Sequence, residues 1–368
     1  MAPIKIGFIG LSSSQSWAVW AHLPYLKNTT KYQVVALCNS SLASAEAAIK
    51  VHNLPPTTKA YATPEDLAAD PDVELVVCST RVDKHYDGLM PALRAGKDVF
   101  CEWPLAQNVK QAEEMLALAK EKGVKTLVGL QAGVSPVLLK IKSIIEEGKI
   151  GKVVSSVFHG TPKFFGETVW EGMKYQQDRE VGANMVSIYG MHSLESIQFV
   201  LGRLESYTPL LAIQHPTVQL TDHTGTPTGT APRSSHDHIL LNGTLASGAL
   251  LSYSLRGGPA FDSISDTIWR IYGTKGAIQV VGPDSYLQIA DDNFNIKVHE
   301  HGKEGLEEVN FDKDGWSGEE CPLFARNVAR LYEAFADGKG VDGGVLGWED
   351  AVKRHVFVEE MYEKADVQ

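Results

Sequence analysis

The sequence predicts an α/β fold in its first third and an α+β fold in the remainder. Two patterns indicate this division. Over the first 130 residues, short β-branched runs alternate with amphipathic stretches, which is typical of βαβ units and a helix-covered parallel sheet. Beyond Gln131, apolar runs follow one another with turn residues between them, which favours a mostly antiparallel sheet. A length of 368 residues also fits two domains.

In the N-terminal part, strands and helices alternate along the chain. Strands are predicted at Ile4–Ile9, Tyr32–Cys38, Leu75–Ser79, Asp98–Cys101 and Lys125–Leu130. Helices are predicted at Trp17–Leu26, Leu42–His52, Pro64–Ala69, His85–Ala95 and Val109–Glu121. This order predicts a Rossmann dinucleotide-binding domain at residues 1–131.

The C-terminal part, residues 132–368, is predicted to be an open, mostly antiparallel sheet with helices on one face, serving substrate binding and dimerisation. Strands are predicted at Val153–His159, Tyr207–Ile213, His238–Gly243, Ala249–Leu255, Thr267–Gly273, Ala277–Val281 and Tyr286–Ile289. Helices are predicted at Pro136–Glu147, Met185–Leu201, Cys321–Ala336 and Trp348–Ala365. We expect the last two helices to pack back on the first domain.

The composition argues against several classes of partner. The net charge of -11 argues against the basic face that nucleic-acid binding needs, so we expect no nucleic-acid partner. No apolar run approaches the roughly 20 residues of a membrane helix, and no signal segment precedes the first strand, so we expect no membrane association. The spacing of Cys38, Cys78, Cys101 and Cys321 suits neither a metal site nor close pairing, which predicts reduced thiols and a cytoplasmic or nuclear location.

The first strand runs into the stretch Gly7–Trp17, which suits a phosphate-binding loop. Gly10 supplies the glycine that the tight turn needs, Ser12 takes the second small position, and Ser16 takes the third after one inserted residue. The hydroxyl of Ser13 adds a donor for phosphate at a helix N-terminus. The alternative is an empty loop, because the glycine pattern alone has low specificity.

The second strand ends at Asn39 and Ser40, where NAD sites usually carry an acidic residue for the ribose. A neutral asparagine does not repel a 2′-phosphate, so the sequence favours NADP, with NAD as the other possibility. No arginine stands beside it to bind that phosphate. The competing interpretation is an ordinary turn whose serines cap a helix.

Three longer stretches carry a family resemblance: Val76–His85, Gly96–Pro104 and Gly182–His192. Together with the phosphate loop, they resemble the Gfo/Idh/MocA family of glucose–fructose oxidoreductases and inositol dehydrogenases. The resemblance covers nearly the whole chain. It implies a Rossmann domain followed by an open antiparallel sheet, with NAD or NADP used to oxidise or reduce sugars, cyclitols and related small molecules.

The resemblance also implies roles for residues at the strand ends. Glu102 is expected to hold the nicotinamide ribose, as its family equivalent does. Arg81, beside Thr80, is expected to face the adenosine or a phosphate, and His85 to begin the following helix. We therefore include Thr80, Arg81, His85 and Glu102 among the expected cofactor-binding residues.

Two departures from the family pattern affect proton transfer. The family motif Glu-Lys-Pro reads Glu102-Trp103-Pro104 here, so an indole replaces the lysine that polarises the reacting oxygen. The acid that usually precedes the second-domain histidine by four residues is Ile188, whereas His192 is retained. Trp103 either lines the cofactor pocket or packs beneath the following helix. Because an acid–base group contributes about 10²–10⁴ in rate, the family mechanism is not expected to operate unchanged.

One branch of the family, the galactose-regulon repressors, also reads Glu-Trp. This chain resembles that branch in Gly10-Leu11, Trp17-Ala18 and Gln131 as well. Such repressors bind NAD(P) and act by masking the acidic segment of a transcriptional activator. The resemblance places Trp17, Trp103 and Gln131 at the expected cofactor site.

The sequence therefore leads to two hypotheses. The first is an NAD(P)-dependent oxidoreductase that acts on a small carbonyl, imine, hydroxyl or conjugated alkene compound, with His192, Tyr189 and Tyr175 as candidate catalytic residues. The second is a catalytically inactive NAD(P)-binding regulator with a protein partner. By family analogy, a homodimer is expected in either case.

Overall fold

β1 (Ile4–Ile9) lies at the centre of a parallel sheet in the computed structural model, which describes residues 2–261, 266–289, 293–311 and 321–366. The other strands of this sheet are β2 (Tyr32–Cys38), β3 (Lys59–Tyr61), β4 (Leu75–Cys78), β5 (Asp98–Glu102) and β6 (Thr126–Gly129). In the described residues, six strands pair in the order β3-β2-β1-β4-β5-β6. This is the Rossmann order, which reverses direction between β1 and β4.

Helices cover this sheet, and side-chain caps explain where several of them begin. They are α1 (Leu23–Asn28), α2 (Leu42–Val51), α3 (Pro64–Ala69), α4 (His85–Arg94) and α5 (Val109–Lys122). The side chains of Ser41, Thr63 and Asn108 accept hydrogen bonds from the first turns of α2, α3 and α5. The predicted Rossmann domain is confirmed. The predicted helix Trp17–Leu26 instead divides into a π-helical turn, Ala18–His22, and α1.

The second sheet begins after α6 (Pro136–Glu146) with β7 (Val153–Gly160). Further along are β8 (Thr168–Trp170), α7 (Met191–Leu201), β9 (Leu204–Ala212), β10 (Thr217–Thr221), β11 (Pro227–Pro232), β12 (His238–Leu245), β13 (Leu250–Arg256), β14 (Thr267–Gly273), β15 (Gly276–Gly282), β16 (Asn295–Glu300) and β17 (Glu307–Val309). In the described residues, eight of these pair in the order β17-β16-β15-β14-β7-β13-β12-β9, and only β7 with β13 is parallel. The predicted mostly antiparallel sheet is confirmed.

One face of the large sheet is buried and the other is open. Trp269, Ile271 and Tyr253 point to the buried face, where Ser193 of α7 hydrogen-bonds to the Tyr253 hydroxyl at 2.7 Å. On the opposite face, Leu240 and Leu250 are about half exposed or more. Antiparallel sheets are commonly covered on one face only, as here.

One predicted strand of this region was wrong, whereas the predicted helix Met185–Leu201 is helical throughout. Tyr286–Ile289 is a turn, because Ser285 and Tyr286 leave the sheet after β15 and the Tyr286 hydroxyl donates to the Pro162 carbonyl at 3.0 Å. The predicted helix Met185–Leu201 is a π-helical turn, Met185–Gly190, followed by α7. No local pattern predicted β3, β8, β10, β11, β16 or β17, which are short or lie in polar stretches.

The chain forms two units. The first comprises Met1–Val134 with Lys313–Val356, and the second comprises Ser135–Asp312 with Phe357–Gln368. Within the first unit, α8 (Leu323–Ala336) contributes Val328, Leu331 and Tyr332 to the same apolar core as Ile6 and Phe8 of β1. The last helix is α9 (Trp348–Asp366). No described helix is long and apolar enough to cross a membrane. All four cysteines are buried, and within the described residues none of them forms a disulfide.

Candidate cofactor and active site

Gly10 shapes the loop at the point where the strand order reverses. Its φ is +95°, and a Cβ there would lie 2.6 Å from both the Ser79 carbonyl oxygen and the Thr80 methyl carbon. The Gly10 amide donates to the Cys38 carbonyl at 3.1 Å. Glycine is therefore required both by the backbone angle and by the close approach of β4. The loop ends of β1, β2 and β4 meet here.

The serines that follow Gly10 lie in a loop that faces solvent, with Ser12 half-buried and Ser14 exposed. The Ser14 amide donates to the Ser12 hydroxyl at 3.1 Å, and the His52 Nε2 lies 2.6 Å from the Ser12 carbonyl. Ser13 is exposed. The loop thus has a fixed base and exposed hydroxyl groups, an arrangement that suits contact with an anion.

Asn39 holds the phosphate loop in place from the neighbouring strand. Its Nδ2 donates to the Leu11 carbonyl at 2.9 Å and to the Ser44 carbonyl at 3.3 Å. Ser40 is exposed beside it. Asn39 is therefore a neutral residue whose donors are used by the protein's own backbone.

His85 connects the loops after β4 and β5. Its Nδ1 is 2.9 Å from the Pro104 carbonyl and its Nε2 is 3.1 Å from the Thr80 carbonyl. Arg81 is exposed and pairs with Asp83 at 3.1 Å. His85 is thus a bridge between two strand ends that also begins α4, as the sequence suggested.

Glu102 and Trp103 end β5 in buried positions. The Glu102 Oε1 is 2.9 Å from the His22 Nε2. Trp103 is 5% exposed, and its ring centroid lies 4.8 Å from that of His355 in α9. The Trp103–Pro104 bond is cis. The indole therefore fills the interior beside His355, and contact with a cofactor stays a prediction.

Gln131 follows β6 and carries an unsatisfied polar atom. The residue is 2% exposed, and within the described part of the chain its Oε1 has no hydrogen-bond partner. A buried acceptor without a donor calls for an explanation, and an amide of a bound ligand supplies one. Together with the cradle at Gly10, this atom shows that the residues present fit a dinucleotide.

In the second unit, the structure brings Tyr175 and Tyr189 close to Gln176. The Gln176 Nε2 donates to the Tyr175 hydroxyl at 3.2 Å, and the Tyr189 ring packs against the rings of Phe165 and Tyr286 with centroid distances of 5.3 and 5.8 Å. Burial raises the pKa of Tyr189 well above its ordinary value. The side chains of Asn184 and Ser187 form a capping box at the start of the π-helical turn that contains Tyr189. The tyrosine is therefore a fixed, protonated group.

His192 lies in the first turn of α7, and burial lowers its pKa to about 4. The cause is desolvation of the imidazole, which disfavours its charged form. Ile188, at the position of the family acid, is half-buried. At neutral pH this part of the unit therefore offers an uncharged imidazole and an aliphatic side chain.

A strained loop places an aromatic ring beside Tyr189. Lys163 and Phe165 both have a φ of 63°, which side-chain-bearing residues rarely adopt. Arg233, itself buried, donates to the carbonyls of Phe165 and Gly166 at 2.9 Å. Between the strained residues, Phe164 is 48% exposed and its ring centroid lies 6.0 Å from that of Tyr189. The loop presents Phe164 in a fixed position.

Sequence reasoning missed four residues that organise these sites: His22, Gln176, Arg233 and His355. His22 is a single polar residue in an apolar stretch, and this was the local sign that it has a specific role. Its hydrogen-bond partners, Glu102 and Tyr332, are distant in sequence, so the sequence did not identify them. Within the described residues, no group of three or more His, Cys, Asp or Glu side chains is arranged to hold a metal ion.

Comparison with known proteins agrees with this architecture. Residues 4–130 match the sequence profile of an oxidoreductase family with an NAD-binding Rossmann fold, Gfo/Idh/MocA, and residues 136–282 match that of the Gal80p C-terminal domain. The chain belongs to the Gfo/Idh/MocA family, in a branch that resembles Gal80. The resemblance inferred from the sequence is confirmed.

The relatives include both a regulator and a dehydrogenase. The galactose/lactose metabolism regulatory protein GAL80 of Saccharomyces cerevisiae is 30% identical over 79% of this chain and 69% of its own length. The dehydrogenase aclE of Aspergillus oryzae is 30% identical over 92% of this chain and 94% of its own. The crystal structure of a super-repressor mutant of S. cerevisiae Gal80p superposes with a TM-score of 0.89 at 26% identity, covering 100% of this chain and 96% of that one.

Proposed function

We propose that this protein is an NADP-dependent oxidoreductase, also able to use NAD, with an altered set of proton-transfer groups. Its substrate would be a small carbonyl, imine, hydroxyl or conjugated alkene compound. The observation that carries the proposal is the glycine cradle at the switch point of the first sheet, where only a residue without a side chain fits. The dehydrogenase relative that aligns along most of both chains supports it.

The cofactor-binding roles follow from position in the first unit. Ser12, Ser13 and the loop amides after Gly10 would bind the pyrophosphate. Asn39 and Ser40 would tolerate a 2′-phosphate, because neither carries a negative charge. The remaining predicted contacts come from the loops after β1, β4, β5 and β6: Trp17, Thr80, Arg81, His85, Glu102, Trp103 and Gln131. When bound, the nicotinamide supplies or accepts the hydride.

The second unit would orient the substrate without readily moving a proton. At neutral pH, the lowered pKa of His192 leaves an uncharged imidazole that can donate one hydrogen bond to a carbonyl oxygen. Tyr189, with its raised pKa, stays protonated, and the Tyr175 hydroxyl accepts a hydrogen bond from Gln176. These groups stabilise a polarised oxygen more readily than they protonate it. Reduction of a conjugated alkene or an iminium ion needs the least acid assistance and fits best.

Phe164 supports a substrate that is less polar than a free sugar. Its exposed ring and the neighbouring rings of Tyr189 and Tyr286 form an aromatic surface, with Tyr286 5.8 Å from Tyr189. Planar conjugated compounds stack on such rings, whereas a polyol would leave its hydroxyls unpaired.

The test is oxidation of NADPH and NADH by purified protein with enones, aldehydes and imines as acceptors. We expect turnover with the conjugated or iminium acceptors and none in the Gly10→Ala variant, which controls for contaminating reductases. Absence of turnover with every acceptor would contradict the enzyme proposal, even if the cofactor binds.

The alternative is a catalytically inactive regulator with a protein partner. Trp103 and Ile188, which replace two of the three family proton-transfer groups, favour it, as does the likeness to the yeast regulator GAL80. It predicts binding of an acidic, aromatic-containing peptide, measured by fluorescence anisotropy, together with the absence of turnover. We propose that the protein is located in the cytoplasm, or in the nucleus if it is a regulator. Imaging of a fluorescent fusion checks this location.

We also propose a homodimer formed through the open face of the large sheet. Leu210, Leu240 and Leu250 are 51%, 48% and 60% exposed there, which is unusual for a face in contact with water. Leu240→Arg should shift the protein from dimer to monomer in sedimentation velocity. Leu139→Arg, at an equally exposed leucine of α6, is the matched control and should remain dimeric. A wild-type protein that sediments as a monomer at high concentration would contradict the dimer.

A further inference from the structure

A buried hydrogen-bonded chain of three side chains stands behind the end of β5. The His22 Nε2 lies 2.9 Å from the Glu102 Oε1, and the His22 Nδ1 lies 2.9 Å from the Tyr332 hydroxyl. His22 and Tyr332 are 0% exposed and Glu102 is 8% exposed. All three residues belong to the first unit.

The hydrogen bond to Glu102 has one direction. A carboxylate only accepts, so the His22 Nε2 donates its proton to Glu102. The Tyr332 hydroxyl is the partner of the His22 Nδ1. Burial raises the pKa of Tyr332 well above its ordinary value, so that hydroxyl keeps its proton. Glu102 and Tyr332 together hold both ring nitrogens of His22.

The histidine ring has no freedom to turn away from the carboxylate. Its centroid lies 5.4 Å from those of both Phe8 and Phe100. On the other side of the carboxylate, a Cβ at Gly129 would be 2.5 Å from the Glu102 Oε2, so the β6 backbone closes against that oxygen. The Glu102 carboxylate is thus fixed on one side by a hydrogen bond and on the other by the main chain.

We infer that His22 is a positioning residue, which holds the Glu102 carboxylate ready to accept hydrogen bonds from the hydroxyls of the nicotinamide ribose. The inference rests on the proposed function, because Glu102 has this task only if a dinucleotide binds. The residue stands on the π-helical turn Ala18–His22, which continues from the phosphate loop. One segment therefore serves both the pyrophosphate and the ribose beyond it.

The test compares a whole cofactor with its adenosine half. Dissociation constants are measured by calorimetry for NADPH and 2′,5′-ADP, or for NADH and ADP if NADH is preferred. His22→Leu removes the donor to Glu102 and should weaken binding of the whole cofactor roughly tenfold or more, because a hydrogen bond to a charged group is lost. Binding of the adenosine fragment should change less than twofold, since that half does not reach Glu102.

Two further variants separate positioning from general damage to the core. His22→Gln retains a donor near the Nε2 position and should recover most of the affinity for the whole cofactor. Tyr32→Phe removes the hydrogen bond from the Tyr32 hydroxyl to the Tyr332 carbonyl, in the same cluster, and should leave both dissociation constants unchanged. Each variant is also checked for folding by thermal unfolding without cofactor.

Equal weakening of both ligands in His22→Leu, or no weakening of either, would overturn the positioning role while leaving cofactor binding intact. A wild-type protein that binds neither NADPH nor NADH would instead overturn the proposed function. Selective loss of the whole cofactor, recovered by His22→Gln, is the result that we expect.

Discussion

Polar groups differ between two regions of the molecule. Those at the carboxyl end of the first sheet are fixed by hydrogen bonds, whereas those at the start of α7 in the second unit are replaced or uncharged. At the first, Asn39, His85 and Glu102 are each held by defined hydrogen bonds near the glycine cradle. At the second, Ile188 stands where the family has an acid, and burial lowers the pKa of His192 to about 4. The apparatus that would bind a dinucleotide is organised, whereas the groups that would transfer protons are replaced or neutral.

This difference has a physical basis. A binding site for a dinucleotide needs fixed donors and acceptors, and hydrogen bonds within the protein provide that fixation. Proton transfer at neutral pH needs a group whose pKa lies near 7, and burial without a charged partner moves a histidine away from that value. The fold of this chain therefore has fixed groups that suit dinucleotide binding, but His192 does not titrate near pH 7.

The largest expected effect is a loss of cofactor affinity when the loop at Gly10 is disturbed. Gly10→Ala places a methyl group 2.6 Å from the Ser79 carbonyl at a φ of +95°, so the loop must move. We expect about a 100-fold or greater loss of NADPH affinity, measured by calorimetry. Gly96→Ala is the matched control, because its φ is +72° but a Cβ there meets nothing within 4 Å. Similar affinities for both variants would disprove the cradle.

The next effect concerns the interior beside Trp103. Burial lowers the pKa of His355 to about 3, below the ordinary value of 6.5. Between pH 6.5 and pH 3, His355 therefore binds a proton in the unfolded chain but not in the folded chain. The free energy of unfolding falls as the pH drops through this range. At pH 5 the loss from this group is roughly 2 kcal/mol.

His355→Gln keeps an acceptor for the Ala106 amide but removes the titration. Urea unfolding at pH 7 and pH 5 should therefore show a decline about 2 kcal/mol smaller in the variant than in the wild type. An identical decline in both proteins would mean that His355 is not held neutral by burial.

The smallest expected effect is a change in the preference for NADPH over NADH. Asn39→Asp adds a negative charge at the end of β2 and removes the donor to the Leu11 carbonyl. We expect NADPH to bind about tenfold more weakly relative to NADH, because a carboxylate repels the 2′-phosphate. An unchanged ratio of the two dissociation constants would place Asn39 away from the ribose.

Local signals predicted much of the fold. Thr63, Pro64 and the acidic first turn specify α3, whose bounds were predicted correctly. Alternating apolar strands with helices between them led to the Rossmann order. The short strand β3 has too few residues for a period, and the turn at Tyr286–Ile289 has an apolar run that tertiary contacts divert from the sheet.

The site was only partly predictable for a related reason. Gly10 could be identified because a glycine after the first strand has a local cause. His22 and Tyr332 lie 310 positions apart, so nothing in their surroundings along the chain links them. The lowered pKa of His192 likewise depends on burial, which the type of residue does not reveal.

The central claim is that the first unit binds a nicotinamide dinucleotide. The most direct measurement is a calorimetric titration of the wild-type protein with NADPH and with NADH, at matched concentrations and pH 7. We expect saturable binding with one cofactor per chain, tighter for NADPH. No measurable binding of either cofactor would contradict it.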